Sequence, residues 1–367
     1  MQLERPPRWR RLLKDAVASA IWRTRSLPLP VSIAPPDRHP LVIGYHRVVE
    51  DMAGAASTDM PTLLTSREMF ERHIDWIGRH FEFVSLDEIG DHVDRGVPFP
   101  RPVAAITFDD GYRDVYEHAL PVLQRKGIPA AMFVVTELVN RSCWQIHDRL
   151  YHLLDKAYNV WRDDPWAGLM RVLAEVEVPT GAIPGFRAAS RNPYSAVSAL
   201  LPALSQAHAG RLMALLDAQI GNGTAAVPRT VTWEMVEDMH DAGFTIGSHT
   251  KTHVWLANES EEKGLDEVAG SKQVLERRIG APVTHFAYPG GQFTPPVVNL
   301  VERAGYRYAY TACDHVDERR PALTIQRLLL WEGSSIAADG SFSSVILDCQ
   351  THGLWPPARR CERVHAA

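Results

Sequence analysis

Seven short apolar runs narrow most sharply what this chain can fold into: LVIGYH (41–46), PVAAITF (102–108), AAMFVV (130–135), FTIGSH (244–249), THFAYPGG (284–291), YRYAYT (306–311) and LTIQRLLLW (323–331). Runs this brief, bounded by turn residues, read as buried strands rather than helices. Helical spacing fills the intervals. Thr65 and Glu68 form a capping box ahead of Phe70, Ile74, Ile77 and Phe81, and Ser85 with Glu88 repeat the device. Further helices are predicted over Val115–Lys126, closed by Gly127, over Trp233, Val236 and Met239 up to Gly243, over Ser260–Ile279, and over 295–304. Strands alternating with helices imply an α/β fold with a parallel sheet. The 367 residues accommodate an α/β barrel of roughly 200–250 residues with an insertion.

The alternation breaks between Asn140 and Pro228, where several helices separated by Pro and Gly replace the strands. This segment reads as a helical insertion, a lid or a substrate-side wall. The expected organisation is a basic N-terminal helix and linker (1–36), a first barrel part (37–139), the insertion (140–228), a second barrel part (229–335) and a C-terminal extension (336–367). The N-terminus lacks the 7–15-residue apolar core of an export signal and the roughly 20 apolar residues of a span. Leu12, Leu13, Val17, Ile21 and Trp22 share one helical face, so residues 8–24 suit peripheral contact with anionic lipid, or packing on their own domain. A cytoplasmic location, or one peripheral to the inner membrane, is expected. A net charge of -5 supplies no basic field for nucleic acid. The four cysteines form no C-x-x-C pair and read as free thiols.

The chemistry gathers at strand ends. The 102–108 run delivers Asp109 and Asp110, and in parallel barrels the C-terminal strand ends form the active face. Adjacent carboxylates repel unless a cation is near. The 244–249 run ends in His249, with His253 four residues on, and two such imidazoles can reach one ion if the chain turns between them. Two histidines and one aspartate leave a coordination position open, as catalytic zinc sites require. The second carboxylate is then available as a base.

TFDDGY and SHTKTH resemble the first two motifs of the polysaccharide deacetylases, the NodB-homology or carbohydrate esterase family four group. The likeness covers approximately residues 40–135 and 230–330, with the insertion outside it. It implies a distorted (β/α) barrel, Asp109 as base, and Asp110, His249 and His253 as ligands of one divalent metal ion. That ion would be zinc, with cobalt or nickel able to substitute. The implied activity is hydrolysis of N-acetyl groups on an amino-sugar polysaccharide or oligosaccharide of the exopolysaccharide or cell envelope. A deacylase or deformylase of a lipid- or nucleotide-linked sugar, or a glycan-binding pseudoenzyme, are the alternatives.

Two departures matter. The family's third motif carries an Arg, but this chain reads Phe286-Ala287-Tyr288-Pro289-Gly290-Gly291. Arg327 is the replacement cation expected beside Asp109, and the Gly290 N–H is expected to face an oxyanion. The late L-x-H motif is also missing; His352 does not supply it. Some relatives acting on exopolysaccharides instead carry an early Tyr-His pair. Tyr45-His46 stands at the end of the first strand, so His46 is expected as general acid. Tyr112 and Tyr288 are candidate substrate contacts. Trp144, Trp161, Trp166, Trp233 and Trp255 could stack on sugar rings or simply fill cores.

Overall fold

The computed structural model describes residues 16–20 and 40–353, except 57, 179, 184–185, 222–228 and 314. Eleven short strands are present among them: β1 Leu41–Tyr45, β2 Arg47–Val49, β3 Leu64–Ser66, β4 Glu82–Phe83, β5 Val103–Phe108, β6 Ala130–Val134, β7 Thr245–Ser248, β8 His285–Ala287, β9 Tyr308–Thr311, β10 Ile325–Gln326 and β11 Leu328–Leu329. Every strand pairing is parallel. The main sheet runs β10-β9-β8-β7-β6-β5-β1-β11, with β4 on β5 and β2 paired with β3 separately. β10 and β11 are one stretch interrupted at Arg327. Its first half pairs β9 and its second half pairs β1, so the sheet shuts into a ring.

Alternation along the strands sorts side chains into two layers. On β5, Ala104, Ile106 and Phe108 join the outer core under the helices. Val103 and Ala105 join the inner cluster with Phe133, Ala287 and Tyr310. A fully buried Ile or Phe of this kind stabilises by roughly 1.5–3 kcal/mol relative to exposure. The helix Leu86–Asp94 packs its Leu86 and Ile89 into the inner cluster. Gly90 lets it approach: a Cβ there would stand 2.6 Å from the Tyr308 ring.

Several expectations need adjustment. The helix Arg67–His80 is capped by Ser66, whose side chain accepts from Met69 N–H, and Thr65 is instead a buried residue of β3. The expected 115–126 helix opens with a wider π turn, Val115–Ala119, before the α-helix Leu120–Lys126, and Gly127 ends it at φ 64°. At the N-terminus, residues 16–20 are helical and Ala18 is buried against Ile346 and Cys349. That favours packing on the chain's own C-terminal helix for these five residues. Leu12, Leu13, Ile21, Trp22 and the rest of the basic segment and linker lie outside the described residues. Among the described residues no helix is long and apolar enough to cross a membrane.

The segment after Asn140 is helical as expected. Ile146–Val160, Pro165–Glu175, Pro193–Leu200 and Gln206–Ile220 are its main helices. They enclose a core of their own, including Leu150, Leu154, Leu169, Leu173, Leu200 and Leu212.

Candidate active site

Asp109 continues the inward side of β5, and its N–H donates to the carbonyl of Tyr45. The chain then leaves the strand through two left-handed residues, Asp110 at φ 72° and Gly111 at φ 68°. Non-glycine residues rarely adopt that conformation, and the cost is of order 1–2 kcal/mol. The surroundings fix it: Gln145 Nε2 donates to the Asp110 carbonyl at 2.7 Å.

Arg327 takes the place proposed for it. Its guanidinium grips Asp109 at both oxygens, Nη1 to Oδ1 at 2.7 Å and Nη2 to Oδ2 at 2.8 Å, and also donates to Thr107 at 3.1 Å. Both partners are buried. Burial pushes the Asp109 carboxyl up, yet Arg327, and then His249, hold it below the usual carboxylate range. The acid is therefore ionised in a dry setting, with a lone pair still open on each oxygen.

His249 follows β7 directly, and its N–H donates to the carbonyl of Val134. The chain does turn between the two histidines, but not as a helix. Instead Thr250 and His253 are left-handed, at φ 69° and 60°. Glu267, wholly buried in the helix Glu261–Ile279, pins this turn. Its carboxylate accepts from the N–H groups of Lys251 and Thr252, both at 2.9 Å, and from the Thr252 hydroxyl at 2.7 Å. The His249 Nδ1 is hydrogen-bonded to the Ala287 carbonyl at 2.8 Å, which turns Nε2 toward the acids.

The two turns meet at the Asp110 carboxylate. His249 Nε2 stands 3.5 Å and His253 Nε2 3.2 Å from its Oδ1. A third imidazole, His147 of the helix Ile146–Val160, stands 3.5 Å from Oδ2. The sequence reading missed His147. Asp110, His147 and His253 each offer an atom within 4.8 Å of the others. Atoms sharing one tetrahedral ion at roughly 2.0–2.2 Å lie about 3.3–3.5 Å apart, close to the 3.2–3.5 Å between each imidazole nitrogen and the Asp110 carboxylate, although His249 falls outside the 4.8 Å group. Neither Asp110 oxygen has a hydrogen-bond partner, although both are buried. A buried carboxylate without donors fits a cation. Burial, against the pull of Asp110, drives His147 down to about 3, and burial also takes His249 down to about 4. Both imidazoles are neutral near pH 7, the form that ligates metal. Burial raises the Asp110 carboxyl, but His147 and His253 outweigh it and hold the acid strongly ionised.

His46 is partly exposed between β1 and β2, near enough for its charge to act on Asp109, Asp110 and His147. Gly290 is left-handed at φ 65°, and a Cβ there would meet Trp255 Nε1 at 2.5 Å. The indole of Trp255 is in turn edge-on to the His253 ring at 5.2 Å. The two tyrosines do not line a cleft as expected. Tyr288 is core, its hydroxyl donating to the Leu323 carbonyl. Tyr112 is equally buried, with its hydroxyl 2.7 Å from His147 Nε2 and donating to Asp148 Oδ2 at 2.6 Å. Its hydroxyl is thus engaged behind Asp110, between His147 and Asp148. Of the five tryptophans singled out above, Trp255 is the one whose ring lies against a candidate ligand. Trp161 and Trp166 pack in the helical core, Trp233 in the barrel core, and Trp144 between His152 and Arg229. His352 bonds the carbonyl of Asp348, and its ring faces Phe81.

The chain resembles known proteins in sequence and in fold. Poly-beta-1,6-N-acetyl-D-glucosamine N-deacetylase of Staphylococcus aureus is 31% identical over 104 residues, 26% of this chain and 36% of that protein. Its namesake in Staphylococcus epidermidis is 30% identical over 110 residues, 28% and 38% respectively. The match thus spans little more than a third of the length of these curated relatives. Among solved structures, the Streptococcus pyogenes deacetylase PplD superposes with a TM-score of 0.54 at 14% identity, over 86% of this chain and 99% of that one. IcaB from Ammonifex degensii gives 0.50 at 20% identity, over 80% and 92%. At these identities the likeness is one of fold. The polysaccharide deacetylase family model matches residues 96–161 and 191–309. It runs through the helix bearing His147 and skips only 162–190, so most of the helical segment lies within the likeness rather than outside it. With just over half of its length matched in this way, and both motif turns inside the match, the chain belongs to the polysaccharide deacetylase family.

Proposed function

We propose that the protein is a metal-dependent hydrolase that removes N-acetyl groups from an amino-sugar polysaccharide. The observation that carries this reading is the convergence of His249 Nε2 and His253 Nε2 on Oδ1 of Asp110, beside a second carboxylate held ionised by Arg327. Asp110, His249 and His253 would hold the ion, with zinc the best match to two imidazoles and one carboxylate. An ion bound there supplies Lewis acidity toward an acyl carbonyl and makes a nearby water more acidic. Asp109 accepts the proton of the attacking water, and Arg327 keeps its carboxylate charged and oriented for that task. His46, across from Asp109 at the end of β1, gives a proton to the departing amine. The Gly290 N–H is assigned to the oxyanion. The names of the staphylococcal relatives point to a β-1,6-linked N-acetylglucosamine polymer as the first substrate to try.

A non-catalytic, glycan-binding role drew its support from the missing Arg in the 286–291 stretch. Arg327, paired with Asp109, supplies a cation there by another route. The test is acetate release from N-acetylated β-1,6-glucosamine oligomers by metal-supplemented protein. Asp109→Asn should slow turnover roughly a thousandfold, about 4 kcal/mol of barrier, with metal content unchanged. Turnover like that of the parent protein in this variant, or no acetate from any acetylated glycan, would overturn the assignment.

A further inference from the structure

We infer that residues Gln145–Asp148, at the entrance to the helical segment, form a positioning clamp for Asp110. In that clamp His147, held by the Tyr112 hydroxyl, stands beside the carboxylate oxygen turned away from His249 and His253. The inference rests on the reading of Asp110, His249 and His253 as the ligand set.

Three of these four consecutive residues reach the Asp110–Tyr112 stretch. Gln145 donates to the Asp110 carbonyl, Asp148 accepts from the Tyr112 hydroxyl, and His147 stands at Asp110 Oδ2. The fourth, Ile146, packs against the core of the helical segment. All three polar residues are buried. Asp148 also faces the Met60 N–H at 3.5 Å, so the clamp is tied to the barrel from two sides. Asp110 itself sits in a left-handed conformation that the local chain does not favour, and needs such an external hold.

Distance alone would admit His147 as a ligand, in a group with Asp110 and His253 that leaves His249 out. The hydrogen bonds oppose this. The one proton of the Tyr112 hydroxyl goes to Asp148 at 2.6 Å, so its oxygen is left to accept from His147 Nε2–H at 2.7 Å. A nitrogen carrying that hydrogen has no lone pair for an ion. The ring stands 3.5 Å from Oδ2 with no hydrogen bond to it, while Oδ1 is left to the two histidines of the 249–253 turn. Three protein ligands also preserve the open position that a catalytic site needs, whereas a fourth would close a tetrahedral one. Partners of this outer kind fix the direction of a ligand, and losing one typically weakens metal binding about 10–100-fold.

The test is titration of the metal-free, full-length protein with Co2+, read by its d–d absorption. His147→Ala should weaken Co2+ binding about 10–100-fold while leaving the position and intensity of the bands unchanged. His147→Gln, which keeps an N–H donor, should recover part of the affinity. Tyr112→Phe should weaken binding less than His147→Ala. Thermal unfolding of the metal-free variants checks that the helical segment stays folded. If His147→Ala unfolds it, Tyr112→Phe carries the test with the same readouts. Unchanged affinity in the variants would make the clamp merely structural and overturn the inference. A change of band position or intensity would make His147 a ligand and overturn it equally. Failure of the parent protein to bind Co2+ would instead remove the ligand reading on which the inference stands.

Discussion

The barrel and the helical segment bury different things. The barrel encloses charge: Asp109 and Arg327 are paired inside a closed ring of strands, with aliphatic and aromatic layers on both sides. The segment after Asn140 encloses mainly hydrocarbon around Leu150, Leu154 and Leu169, and reaches the Asp110 carboxylate through the first turn of its first main helix and the Thr252 hydroxyl through Gln206. In the barrel, strand alternation decides which side chains point inward, so the reactive groups are delivered by the backbone pattern itself. In the helical segment the core holds a helix in place, and the residues at its entrance, Gln145, His147 and Asp148, reach the Asp110–Tyr112 stretch. A fault in the barrel should therefore damage stability and reactivity together. One in the helical core should reach the site indirectly.

The largest effect is expected at the buried pair. Arg327→Ala leaves Asp109 buried without a counter-cation, and breaking such pairs costs roughly 3–5 kcal/mol. Denaturant unfolding should show that loss, with turnover falling in parallel. Arg327→Lys should restore only part of both, because a lysine cannot grip two oxygens at once. A variant with unaltered stability would mean that charge burial is not what distinguishes the barrel. Next comes Leu154→Ala, fully buried in the helical core, where roughly 2–5 kcal/mol is expected. Hydrogen exchange should quicken in 146–220 before it quickens in β5 and β6. Uniform loosening of both regions would erase the contrast between them.

The most gradual effect is a slope with pH, and concerns acid. His73 is buried between the Tyr45 hydroxyl and Ser335, and burial takes it down to about 3. Its folded value lies below the unfolded one of about 6.5, so the unfolded chain binds the proton more readily. Its contribution is complete above about pH 6.5 and declines as the pH falls toward 3, by at most about 1.4 kcal/mol per unit. His73→Gln should flatten the stability profile across that window. An unchanged slope would place the acid sensitivity of the barrel elsewhere.

Much of the site was legible because the barrel writes it in consecutive letters. Asp109 and Asp110 follow β5, and His249 follows β7, so strand ends and motif coincide. Arg327 could be suggested as a replacement cation, but its inward direction depends on the ring closing at β10 and β11. His147 escaped notice because it is one of sixteen histidines, far from either motif. A signal was there. His147 shares the buried face of its helix with Leu150, Tyr151, Leu154 and Tyr158, and Asp148 is buried as well. A histidine and an acid among apolar positions of a helix need partners. Glu267, on the buried face with Val268, Ser271 and Leu275, carries the same mark. The helix cap fell one residue from its expected place, at Ser66 instead of Thr65, because the strand β3 continues through Thr65 and Ser66. Composition could not distinguish tryptophans that fill cores from Trp255, since only the fold decides what lies beside each ring.

The strand that closes the ring also sets an order in time. A ribosome delivers Asp109, Asp110, His249 and His253 well before residues 325–329, and until those emerge β1 and β9 each keep an unpaired edge. Shutting the ring and supplying Asp109 with its cation are thus a single late event. A nascent chain halted before residue 325 would already hold both aspartates and both histidines, but its Asp109 would lack the partner that keeps it charged.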